Sequence, residues 1–81
     1  EIVGYEVVFE VVVEDGDDER VFVDTIPVPA DATSATASPE FAQLVADSLV
    51  DVKELKVEVI AQEESGNKTI TEDVLIEEEE E

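Results

Sequence analysis

From Tyr5 to Glu14 every odd-numbered residue is large and apolar: Tyr5, Val7, Phe9, Val11 and Val13. Between them lie Glu6, Val8, Glu10, Val12 and Glu14. A period of two is what a β-strand needs when one face meets a core. A helix of 3.6 residues per turn would scatter the odd positions around its whole circumference. The even face is mixed, because Val8 and Val12 interrupt its glutamates. Fifteen of the 81 residues are valine and only 5% are aromatic, which suits a pleated, half-buried surface.

Asp15-Gly16-Asp17-Asp18-Glu19 follows as a turn, with glycine for a positive φ and aspartates for local side-chain-to-backbone bonds. Arg20 to Val28 then predicts a returning strand, hence a hairpin. Its two faces both carry large apolar groups, Val21 and Val23 alternating with Phe22 and Ile26. Pro27 and Pro29 are expected to end it, since neither donates to a ladder. Residues 29–38, rich in Ala, Ser, Thr and Asp, read as a flexible loop of unusual length.

Ser38-Pro39-Glu40 is a helix start: a capping hydroxyl, a proline at the first helical position and an acid at the positive end of the dipole. Phe41, Leu44, Val45, Leu49 and Val52 recur at helical spacing, so the expected helix runs from Pro39 to Val52. Leu49 is expected in the core, and Lys53 is expected near the helix C-terminus, where a cation is favoured. Leu55 to Gln62 predicts a third strand and Lys68 to Glu77 a fourth, joined by an acidic turn from Glu63 to Asn67. The expected fold is α+β: a two-layer ββαββ domain with one helix packed on a four-stranded, mostly antiparallel sheet. Eighty-one residues make a single domain, with 29–38 as a flexible loop and 77–81 as an acidic tail.

The charge restricts partners. Asp and Glu number 24, Lys and Arg four, and histidine is absent, giving −20. On a sphere of about 15 Å radius this self-repulsion is on the order of 20 kcal/mol near 0.15 M salt and about half that near 1 M. The unfolded chain carries part of it too, yet the remainder compares with a whole domain's stability. Four dispersed cations cannot anchor a phosphate backbone, so direct nucleic-acid binding is excluded. Apolar runs stop at three residues, which is too short for a membrane-spanning helix.

Chemistry is equally restricted. With no Cys or His there is no thiol nucleophile, no thiolate metal site and no imidazole base. The Asp15–Glu19 cluster lacks the spacing and flanking helices of an EF-hand. Asn67-Lys68-Thr69 matches a glycosylation acceptor, but short patterns of this kind arise by chance. No metal, cofactor or catalytic residue is expected, and the chain reads as a non-enzymatic acidic binding or assembly module. A protein partner, or self-association as a homo-oligomer, would use Val8, Val12, Phe22, Ile26, Ile60 and Ile70 on the sheet face away from the helix. The acidic surface, marked by Asp15, Asp17, Asp18, Glu19, Glu63 and Glu64, fits a halophilic adaptation. A viral or phage structural or accessory protein falls in the same class, and a cytoplasmic or virion location suits it better than secretion. The alternative is a DNA mimic that occupies the basic groove of a nucleic-acid-binding protein.

Because repulsion falls with screening, the melting temperature should rise steadily from low salt to about 1 M NaCl, with KCl acting similarly. A flat melting temperature across that range would contradict the repulsion argument.

Overall fold

The computed structural model describes residues 1–77. Of the acidic tail expected at 77–81, Glu77 ends the last strand and the rest lies outside the described residues. The element order is β1 (Ile2–Asp15), β2 (Asp18–Pro29), α1 (Pro39–Asp47), a 3₁₀ turn (Leu49–Asp51), β3 (Val52–Glu63) and β4 (Lys68–Glu77). The strands form one open antiparallel sheet in the order β2-β1-β3-β4. The ββαββ order agrees with the sequence pattern. Each strand except β4 is longer than the sequence pattern suggested, because ladder pairing carries on beyond the alternating runs.

β1 and β2 join tightly: Asp15 opposes Asp18, leaving Gly16 and Asp17 as the turn. Gly16 has φ +65°, and among the described residues no non-glycine has positive φ. This is the type II′ arrangement, whose twist matches the strands and which needs glycine first. Any other residue at position 16 would be strained. Pro27 and Pro29 do not stop β2 short, as the sequence suggested. They pair opposite Glu6 and Gly4, and β2 tolerates them because it is an edge strand.

The odd residues of β1 face the helix. Val11 is fully buried, and Val13, Phe41 and Val52 complete the knot around it. Phe9 packs on Phe41 with ring centroids 6.1 Å apart in a tilted pair. Phe22, Leu44, Val45 and Leu55 close the periphery. A bulge between β1 and β3 makes this possible. Val12 opposes Glu54, but Val13 opposes Val52, so Lys53 is the extra residue. Regular pairing would have put Lys53 against Val13. The bulge instead delivers Val52 to the core and sends the lysine outward, where its ammonium lies 2.8 Å from Glu19. Lys53 therefore belongs to β3 and not to the helix end.

The helix is shorter than its apolar stripe. Ser38 Oγ accepts from the Phe41 N–H, at 3.3 Å, and opens it as expected. The chain leaves helical geometry after Asp47 because Val52 must be extended to join the sheet. The intervening 3₁₀ turn swings Leu49 out of line, leaving it 58% exposed, and Val50 is 98% exposed. Leu49 thus falls outside the core, contrary to its place on the stripe.

Phe41→Ala should cost about 3–5 kcal/mol, since it empties the centre of the knot. Leu49→Ala should cost less than about 1 kcal/mol. Chemical denaturation of both variants checks this, and equal costs would place Leu49 back in the core.

Candidate functional site

Nine helical residues span roughly 14 Å, whereas strands of 12 residues run to roughly 40 Å. One helix of this length leaves much of its own sheet face uncovered. The molecule measures 45 × 27 × 18 Å with a radius of gyration of 14.6 Å, against about 12 Å for a compact domain of this length. The described surface accordingly has three features that could meet a partner.

The first is a groove of about 390 Å³ on the helix side, at the end the helix does not reach. Its floor is Tyr5, Val7, Phe9, Val57 and Val59, and Val28 forms one wall. Residues Ala32 to Ala35 of the loop after β2 close the other side. The loop expected at 29–38 is therefore a boundary of this groove. It is tied down at its far end, where the Ser38 N–H donates to Asp24 Oδ2 at 2.8 Å. Asp24 opposes Phe9 and so stands on the apolar face, where it fixes the start of the helix. Both faces of β2 carry apolar groups, so no local pattern marked Asp24 as facing inward. The groove's only polar side-chain chemistry is hydroxyl, from Tyr5, Thr33 and Ser34. It can hold a neutral apolar group, and its lining offers no acid or base.

The second feature is the helix-free face. The register puts Val8, Val12, Ile60 and Ile70 there, as expected. Phe22 and Ile26 are on the opposite face: they oppose Val11 and Val7, and Phe22 packs against the core. β2 contributes Val21 and Val23 to the open face instead, opposite Val12 and Glu10. The reason is parity: the two-residue turn fixes which β2 residues share a face with the odd residues of β1. Val8 and Val74 stand singly, and the other apolar groups fall into two patches, Val12 with Val21 and Val23 at one end, and Ile60 beside Ile70 towards the other. Between them runs a charged band. Lys56 lies there, 3.5 Å from both Glu10 and Glu54. Glu10 first, then Glu54, hold its ammonium above the ordinary lysine range, against a smaller opposing effect of desolvation.

The third feature is acidic. Asp15, Asp17, Asp18 and Glu19 cap one end of the sheet, while Glu63 and Glu64 lie at the other. They do not form one surface. Arg20 binds Asp15 at 2.8 Å, and Lys53 bridges Glu19 and Glu14. Among the described residues no three acidic side chains converge as a metal site would require. No helix there is long and apolar enough to cross a membrane. No protein-family model, curated protein or solved structure matches this chain.

A neutral solvatochromic dye such as Nile red should brighten on entering the groove. Ala35→Asp, an exposed wall substitution, should weaken this without changing the circular dichroism. Unchanged dye affinity would place the dye elsewhere.

Proposed function

We propose that this chain is a non-enzymatic acidic assembly module whose sheet is completed by a protein partner, in the first instance a second copy of itself. One observation carries the reading. The described core has five buried hydrophobic residues: Val7, Val11, Val13, Phe41 and Val52. Eight large hydrophobics are exposed among the described residues: Val3, Val21, Val23, Leu49, Val50, Ile70, Val74 and Leu75. A small chain that buries so little gains disproportionately from association. Apolar groups in patches on an open sheet are the usual material of an interface.

The charge then acts as a regulator of assembly. Two polyanions repel, and salt weakens that repulsion while leaving apolar burial intact. A highly saline medium would favour both the fold and the association, which supports reading the acidic surface as halophilic. A structural or accessory component of a virus particle is one setting for such a module.

A second reading, an acidic mimic of DNA, is favoured by a separate observation. Glu78 to Glu81 lie outside the described residues, so 20 of the 24 carboxylates remain against four cations, a formal −16. Over a length of 45 Å this is one charge per roughly 2.8 Å, against roughly 1.7 Å for duplex DNA. The 27 × 18 Å cross-section also approaches that of a duplex. The clustering of Arg20 and Lys53 at the acidic turn dilutes the likeness at that end.

Sedimentation at about 0.1 M and about 1 M NaCl separates these readings. The assembly module should be a dimer or larger at high salt and dissociate towards monomer at low salt. A chain monomeric at both, even at high concentration, would overturn self-assembly. A basic nucleic-acid-binding protein captured only at low salt would favour mimicry.

A further inference from the structure

We propose that β4 is the assembly edge, and that two copies pair antiparallel through residues 68–72 about a two-fold axis at Ile70. This rests on the self-assembly reading above and names the surface that performs it.

The two edges of the sheet are not equivalent. β2 keeps its pairing with β1 through Pro27 and Pro29, which turns both missing N–H positions outward, where an added strand would need them. The Pro27–Pro29 end of that edge is blocked. β4 contains no proline or glycine from Lys68 to Glu77 and has a full set of backbone donors. Its register with β3 is unbroken from Lys68 to Val74, and a bulge follows only at Leu75. A regular edge with its backbone donors in place is a template for another strand, and its charged residues decide which register that strand can take.

Symmetry then limits the register. A two-fold axis perpendicular to the sheet keeps each residue on its own face, so the axis must pass through a residue. At Glu72 it would set that carboxylate against itself, and at Asp73 it would do the same. At Thr71 it would place Ile70 against the partner's Glu72. At Ile70 every pair is compatible. Lys68 opposes the partner's Glu72 twice over, Thr69 opposes the partner's Thr71, and Ile70 meets its own copy. Opposite charges, Thr–Thr and β-branched pairs are the cross-strand combinations that stabilise sheets.

The neighbouring strand reinforces this. Ile60 lies beside Ile70 on the open face. Pairing at Ile70 would therefore join two isoleucines from each copy into one apolar row across the new eight-stranded sheet. Ile70 is 59% exposed without it. Lys68 also has a role here that the other cations do not, since Arg20, Lys53 and Lys56 all bind carboxylates of their own chain.

The chain has no cysteine, so a single Ile70→Cys substitution reports the axis directly. Opposed residues in an antiparallel pair lie roughly 4.5–5.5 Å apart at Cα, within disulfide range. With oxidised glutathione at high salt, I70C should cross-link into a covalent dimer, while T25C on the β2 edge should not. Charge reversal gives an independent readout. K68E and E72K should each weaken the dimer about tenfold, and the double variant K68E/E72K should restore it. E72K lowers the net negative charge, so general repulsion alone would make that variant tighter. A wild-type dimer with no I70C cross-link, or with tighter E72K association and no rescue, would overturn the β4 edge and leave self-assembly standing. A wild-type monomer at every salt would overturn both.

Discussion

The contact of Phe41 with Val11, Val13 and Val52 is the interaction on which the rest depends. β1 is flanked on both sides, by β2 and β3, so its apolar face is where the two hairpins and the helix meet. The short helix adds only Leu44 and Val45 at the periphery, and its capping residue Ser38 is held by Asp24 on β2. The bulge at Lys53 serves the same knot. It keeps a cation out of the core and admits a valine, with the charge turned to the acidic turn beyond.

What the helix fails to cover defines the rest of the surface. The uncovered end of its own face becomes a groove under the loop after β2, uncharged inside a strongly anionic molecule. The opposite face keeps most of its valines and its isoleucines in two patches, with glutamates around Lys56 between them. The free energy of folding in such a slab is a balance between a small core and a large self-repulsion. Salt relieves the repulsion, and a partner that covers exposed apolar groups adds the burial that the small core lacks.

Much of this was legible. Alternation in β1 named the residues that face the core, because pleating allows only one assignment of odd and even positions. Ser38-Pro39-Glu40 located the helix start, since capping is local chemistry. The stripe ending in Leu49 and Val52 was misleading for a physical reason. Local spacing favoured a longer helix, but burying Val52 against Val13 required an extended chain, and the long-range contact prevailed over the local periodicity. The faces of β2 were ambiguous because both carry apolar groups. Only the two-residue turn decided that Phe22 and Ile26 point to the helix, and Val21 and Val23 away from it.

By itself the sequence determined the hairpin–helix–hairpin order, the inward face of β1 and the polyanionic surface, all of which follow from near-neighbour pattern and composition. Tertiary structure alone decided the strand order, the bulges, the inward role of Asp24 and the contrast between a proline-blocked edge and an open one. Those features depend on which strands lie side by side. Side-by-side pairing joins residues far apart in the chain, so no local pattern can encode it.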